Sequence, residues 1–133
     1  MLFLDTSALV KRYVAEEGSE RVRELMAADS DWSGSALAVT EARVTLCHVG
    51  FDEATLASLS DALETDWDRF FVVPVDDLCL ARAIEVGCAQ RIRTLDAIHL
   101  AAAERLSPAR LVTFDTRQRE AARALGLEVA EPG

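Results

Sequence analysis

The chain has 133 residues, half of them apolar and 28% charged, a mixture that suits one globular domain with a core of its own. No apolar run approaches the roughly 18 residues of a membrane span. The first residues lack a basic lead-in, and three cysteines (Cys47, Cys79, Cys88) stand at no zinc-ligand spacing, so they read as reduced core residues of a cytoplasmic protein. The net charge of −9 speaks at first against a polyanionic partner.

Met1 to Leu4 is a short unbroken apolar run that enters Asp5-Thr6-Ser7. Such a run suits a strand covered on both faces, as in parallel sheets. There, ligand sites form outside the carboxyl ends of the strands. A helix cap alone would also explain the Asp-Thr-Ser turn. Ala8 to Val14 reads as a helix, and Ser19 can cap a second one carrying Val22, Leu25 and Met26. These residues, with Leu9, Val10 and Tyr13, supply more apolar surface than two short helices need. Part of that surface is expected to form a groove for a partner segment.

A strand is expected near Trp32-Ser33-Gly34, then a helix from a Ser35 cap to Val49, stopped by Gly50, with Glu41 in its second turn. Leu56, Leu59, Leu63, Trp67 and Phe70 recur at spacings of three and four with acids between them, the pattern of an amphipathic helix. Phe71 to Val75 reads as a strand with Pro74 at its end or edge. Asp76-Asp77 opens a helix to about Ala89. The segment from a Thr94 cap to Ala103 is apolar nearly all round, so it is a buried helix, ended by Ser107-Pro108, with Asp96 in its first turn. Leu111 to Asp115 is a second buried strand finishing on an acid. A helix from Thr116 to Leu125 follows, stopped by Gly126, and Leu127 to Val129 adds an edge strand. This order implies a single α/β domain over residues 1–133, a mainly parallel central sheet flanked by helices.

Four carboxylates stand where such a fold brings strand ends and helix starts together: Asp5, Glu41, Asp96 and Asp115. Two carboxylates about 4 Å apart repel by on the order of 4 kcal/mol at an effective dielectric near 20. A divalent metal, a shared proton or an inserted arginine relieves that. An all-oxygen set favours Mg²⁺ or Mn²⁺, which completes its shell with water and phosphate oxygens, and the matching chemistry is phosphodiester hydrolysis. His99, three residues after Asp96, reads as a core histidine on an apolar helix. The negative charge is concentrated: from Asp52 to Asp77 there are eight acids against Arg69 alone, whereas residues 81–133 carry a slight excess of arginine. Arg91, Arg93, Arg117 and Arg119 lie near two of the four acids and are candidates for phosphate contact.

Taken together, Leu4-Asp5-Thr6-Ser7-Ala8-Leu9, Glu41 within Val39-Thr40-Glu41-Ala42, Thr94-Leu95-Asp96-Ala97-Ile98-His99-Leu100-Ala101 and Val112-Thr113-Phe114-Asp115 resemble the PIN-domain family, and within it the VapC-type ribonuclease toxins of toxin–antitoxin pairs. The resemblance covers nearly the whole chain. It implies a metal-dependent endoribonuclease whose acids are Asp5, Glu41, Asp96 and Asp115, with Thr6 and Thr113 as supporting hydroxyls. It also implies a VapB-like antitoxin that blocks the cleft, and commonly a homodimer. An Asp-x-Asp phosphatase is excluded because Ser7 stands at the third position, and a phosphoacceptor receiver domain because the only lysine is Lys11. A PIN-like module that binds RNA or protein without cutting is the alternative.

Overall fold

The computed structural model describes residues 1–106 and 109–130. Its order is β1 (Leu2–Leu4), α1 (Thr6–Lys11), α2 (Ser19–Ala28), β2 (Trp32–Ser35), α3 (Ala36–Val49), α4 (Glu53–Trp67), β3 (Phe71–Val73), α5 (Asp77–Gln90), α6 (Thr94–Glu104), β4 (Arg110–Val112), α7 (Thr116–Ala124) and β5 (Glu128–Val129). The five strands form one sheet in the order β3-β2-β1-β4-β5, and all four pairings are parallel.

Alternation along β1 assigns its side chains to two cores, since successive strand residues face opposite sides. Leu2 and Leu4 pack with Leu9, Val22, Met26, Ala42, Leu46 and Leu63 beneath α1 to α4. Phe3 packs with Val86, Leu100, Ala101 and Ala122 beneath α5 to α7. With both faces covered, β1 has no solvent side, which is why its residues are apolar without a break.

The chain steps from β1 to β2 and β3 on one side, then returns to lay β4 on the other side of β1. That reversal is a topological switch point, and open α/β sheets place their crevice outside the carboxyl ends of the strands flanking it. Those ends deliver Asp5 after β1 and Thr113, Phe114 and Asp115 after β4.

Several boundaries differ from the sequence expectations for local reasons. The first helix stops at Lys11, because Lys11 and Ser19 tie down the turn that follows: Lys11 Nζ donates to the Glu17 carbonyl and Ser19 Oγ to that of Val14. Ser19 therefore does not cap α2; Gly18, at φ +91°, occupies that position. Thr94 is the first helical residue of α6 rather than its cap. β4 ends at Val112, and Asp115 is the N-cap of α7, accepting from Gln118 N at 3.0 Å. Asp76 likewise caps α5 through Cys79 N at 2.9 Å. The expected stop at Ser107-Pro108 lies outside the described residues. Of the cysteines only Cys79 is buried; Cys47 and Cys88 are exposed, and all three are free thiols.

The apolar residues of α1 and α2 that were expected to line a groove are covered instead. Leu9, Val10, Val22, Leu25 and Met26 are all buried in the first core. Tyr13 is half-buried and donates its hydroxyl to Asp66 of α4 at 2.7 Å. The apolar excess is consumed by the first core, where these residues pack with Leu2 and Leu4 of β1, Trp32, Phe70 and the inner residues of α3 and α4. Among the described residues no helix is long and apolar enough to cross a membrane.

Candidate active site

Asp5 follows β1 directly and is 2% exposed. Its Oδ1 accepts from Ser7 Oγ at 2.7 Å and from Ala8 N at 3.0 Å, so the helix-cap reading is correct as far as it goes. Its Oδ2 accepts from Thr113 Oγ1. The cap bonds leave Oδ2 to Thr113, whose hydroxyl also accepts from Asp115 N at 3.1 Å. Thr113 thus couples the ends of β1 and β4. Burial pushes the Asp5 carboxyl above its usual range, opposed by the bonds from Thr113, Ser7 and Ala8. The cause is desolvation rather than repulsion by the other three acids, which corrects the crowding expected from the sequence.

Glu41 stands on α3 in a second cluster. Its Oε1 lies 2.6 Å from His99 Nε2 and accepts from Thr6 Oγ1 at 2.7 Å. Ser35 Oγ, at the end of β2, is 2.9 Å from His99 Nδ1. With Nε2–H donating to Glu41, a neutral ring accepts the Ser35 proton at Nδ1. The bond from His99 holds the Glu41 carboxyl below its usual range against partial burial, with Thr6 assisting. His99 is 2% exposed and sits inside an apolar helix, as read from the sequence, yet its polar edge orients an acid.

Asp96 and Asp115 make the third arrangement, spanned by Arg93. Its Nε donates to Asp96 Oδ2 at 3.2 Å, and its Nη2 lies 3.7 Å from Asp115 Oδ2. Of the three ways to relieve acid repulsion, an inserted arginine is the one present here. Arg91, Ile92, Arg93, Thr116 and Arg117 complete a cleft of about 600 Å³ around the two acids. A neighbouring hollow of about 370 Å³ includes Asp115, Thr6, Ser7, Lys11 and Phe114. Arg119 lies apart from Arg91, Arg93 and Arg117, beside Lys11, Gly18 and Phe114. It therefore opens on the far side of Phe114, and the four arginines do not share one wall.

Thr113 thus joins Asp5 to the loop of Asp115, Thr6 joins the residue after Asp5 to Glu41, and Arg93 joins Asp96 to Asp115. Among the described residues no three His, Cys, Asp or Glu side chains stand close enough to hold a metal ion as placed. The donor set nevertheless fits a hard divalent cation. It is all oxygen, it already holds a guanidinium between two carboxylates, and Mg²⁺ needs only one or two protein carboxylates with water and phosphate for the rest. Three contributors escaped sequence reading: Ser7, Ser35 and the Arg93 bridge. Ser35 was signalled by a hydroxyl at the end of a strand, and Ser7 by a hydroxyl in the first turn of the helix that Asp5 caps.

The sequence model described as PIN domain matches residues 2–124. Ribonuclease VapC46 of Mycobacterium tuberculosis (strain ATCC 25618 / H37Rv) is 37% identical over 133 residues, covering 98% of this chain and 97% of that protein. Ribonuclease VapC47 of Mycobacterium tuberculosis (strain CDC 1551 / Oshkosh) is 32% identical, covering 100% and 98%. Among solved structures, FitAcB from Neisseria gonorrhoeae superimposes with a TM-score of 0.80 at 22% identity, covering 99% of this chain and 98% of that one. A toxin–antitoxin complex from Klebsiella pneumoniae superimposes at 0.74 and 17% identity, covering 100% and 98%.

Proposed function

This chain belongs to the PIN-domain family, and from that premise we propose that it is a VapC-type toxin, an endoribonuclease that hydrolyses RNA phosphodiester bonds with Mg²⁺ or Mn²⁺ at Asp5, Glu41, Asp96 and Asp115. The observation that carries the reading is the Arg93 bridge, a cation already seated between Asp96 and Asp115 at the mouth of a cleft. Support comes from the two VapC ribonucleases that match this chain from end to end.

The chemistry such an ion supplies is a water made acidic near neutral pH and a counter-charge for the leaving oxygen. The chain's own residues prepare the site. Thr113 and Ser7 fix the two oxygens of Asp5, so that its carboxylate cannot rotate. His99 and Thr6 hold Glu41 ionised and aimed, which suits a carboxylate that receives a proton from the attacking water. Arg93 and Arg117, with Arg91 at the mouth, offer donors to the phosphates on either side of the bond that is cut. The acidic α4 lies on the opposite face of the sheet, under the first core, and leaves the cleft its local basic wall.

The partner in this reading is a small VapB-like antitoxin. An antitoxin arginine would compete with Arg93 for the same two carboxylates, and Arg93 supports the geometry by showing that a guanidinium fits there.

Purified chain should cleave mixed RNA with Mn²⁺ or Mg²⁺, and Asp5→Asn or Asp96→Asn should lose that activity while keeping its circular dichroism spectrum. Cleavage that persists in excess EDTA refutes the metal chemistry. RNA binding without cleavage under any divalent ion leaves the non-cutting module in its place.

A further inference from the structure

The chemistry proposed above leaves one broad cleft without a role. It is a hollow of about 880 Å³ on the far side of Phe114, lined by α2, the turn before it, and Arg119 of α7. It shares Lys11, Glu16 and Phe114 with the hollow of about 370 Å³, which in turn shares Asp115 with the cleft of Arg93. A single strand whose phosphate lies at Asp115 therefore has a trough to follow on this side, and Phe114 is the wall it passes.

Phe114 is held in place from two directions. Gly18, at φ +91°, packs on the ring edge so closely that a Cβ there would come within 2.6 Å of Cε1. Lys11 Nζ sits 4.8 Å from the ring centroid and is itself tied to Glu16 at 3.1 Å and to the Glu17 carbonyl at 2.7 Å. A half-buried aromatic fixed in this way is a preorganised surface for a nucleobase, since unpaired bases are recognised by packing on aromatic rings and by hydrogen bonds along their edges.

The charges of the cleft are sorted rather than matched. Lys11 pairs with Glu16, and Arg21 lies 3.7 Å from Glu24. The carboxylates of Glu17 and Glu20 and the guanidinium of Arg119 make no hydrogen bond or ion pair among the described residues, and Arg119 Nε is closed to water without an acceptor. With Nε enclosed, only the two Nη groups of Arg119 are left to meet a ligand. One wall thus offers acceptors alone and the other donors alone.

That arrangement selects the ligand. Glu16, Glu17, Glu20 and Glu24 outnumber Lys11, Arg21 and Arg119 by one charge, so the cleft is a poor seat for a phosphate. A base that bridges the walls needs adjacent acceptors on one edge and adjacent donors on another. Guanine has both: O6 with N7, the pair that an arginine fork binds, and N1–H with the N2 amino group. Adenine sets an acceptor beside a donor where arginine needs two acceptors, and cytosine and uracil have no two adjacent donors.

We infer that this cleft is a subsite for a guanine base of the RNA strand, beside the phosphate seated at Asp115. Phe114 is its packing surface, Arg119 binds O6 and N7, and Glu17 and Glu20 accept from N1–H and the N2 amino group. The inference rests on the nuclease reading for its ligand. It gives Arg119 a base to recognise in place of the phosphate contact expected from its position in the sequence.

The test is fluorescence anisotropy in EDTA on the full chain, with four labelled single-stranded RNA octamers of uridine carrying G, A, C or U at one central position. Cleavage of the same oligomers with Mn²⁺ is followed alongside, and circular dichroism verifies that each variant folds. The G oligomer should bind roughly tenfold more tightly than the others. Arg119→Gln should erase most of that preference. Glu17→Gln combined with Glu20→Gln should weaken the G oligomer and tighten the other three, because the strand then meets less repulsion. Equal binding of all four with cleavage retained overturns the subsite and leaves the nuclease reading standing. A guanine preference without cleavage under any divalent ion upholds the subsite and overturns the nuclease reading instead. Even weakening of all four by Arg119→Gln, or tightening of all four by the glutamate substitutions, marks a phosphate contact and overturns the guanine assignment. Guanosine monophosphate bound more tightly than the G oligomer overturns it in favour of a free nucleotide.

Discussion

Thr113→Val is the substitution that asks most of this site. Valine keeps the shape of threonine but removes its hydroxyl, and at this position the hydroxyl serves two acids. It donates to Asp5 Oδ2 and accepts from Asp115 N. Both partners of the first bond are closed to solvent, Asp5 at 2% exposure and Thr113 at 1%, so water cannot replace the lost donor. Leaving one buried acceptor unsatisfied costs about 1–3 kcal/mol, toward the upper end when it is charged. At about 2.1 cal/mol/K of unfolding entropy per residue, a chain of this size loses roughly 3–4 °C of melting temperature per kcal/mol. The expected drop is therefore roughly 4–10 °C in the metal-free protein.

The drop should also depend on pH. The Thr113 bond is the largest influence opposing the burial that raises the Asp5 carboxyl, so its loss raises that carboxyl further. A carboxyl with a raised folded pKa favours the native state fully below its unfolded value near 4 and loses that contribution as pH rises through the folded value. Thr113→Val moves the loss to a higher pH and deepens it, so the gap from wild type should widen between pH 5 and pH 8. Thermal melts in EDTA at those pH values measure it, with Thr113→Ser as the control that should recover most of the stability. A gap below about 1 °C that does not change with pH would mean that Asp5 does not depend on this hydroxyl.

Two further outcomes follow from the other clusters. Arg93→Gln removes the competing cation between Asp96 and Asp115, so Mn²⁺ should bind a few-fold to about tenfold more tightly by calorimetry, as expected for an exposed ion pair. RNA should bind more weakly to the same variant, and parallel changes in both affinities would contradict the bridging role. Glu41→Gln should lower the melting temperature near pH 7. Since His99 holds Glu41 below its usual range, its contribution is present above about 4.5 and lost as pH falls through the lowered folded value, so the two melts should converge in acid. Divergence toward low pH would refute the pairing.

The order of strands and helices and the parallel sheet were legible in the sequence because each rests on local chemistry. Unbroken apolar runs mark strands covered on both faces, spacings of three and four mark helix faces, and an acid before a helix start caps it whatever the rest of the chain does. Asp5, Asp76 and Asp115 all show that capping geometry. Partnership between distant segments carries no such local signal. Thr113 meets Asp5 across 108 positions of sequence, and His99 meets Glu41 across 58. Only the return of β4 to the free edge of β1, and the packing of α6 beneath β2, brings them together. The same limit explains why the apolar residues of α1 and α2 read as a groove. Their periodicity shows that they are covered, while what covers them is the first core they share with β1, Trp32, Phe70, α3 and α4, a fact of tertiary packing.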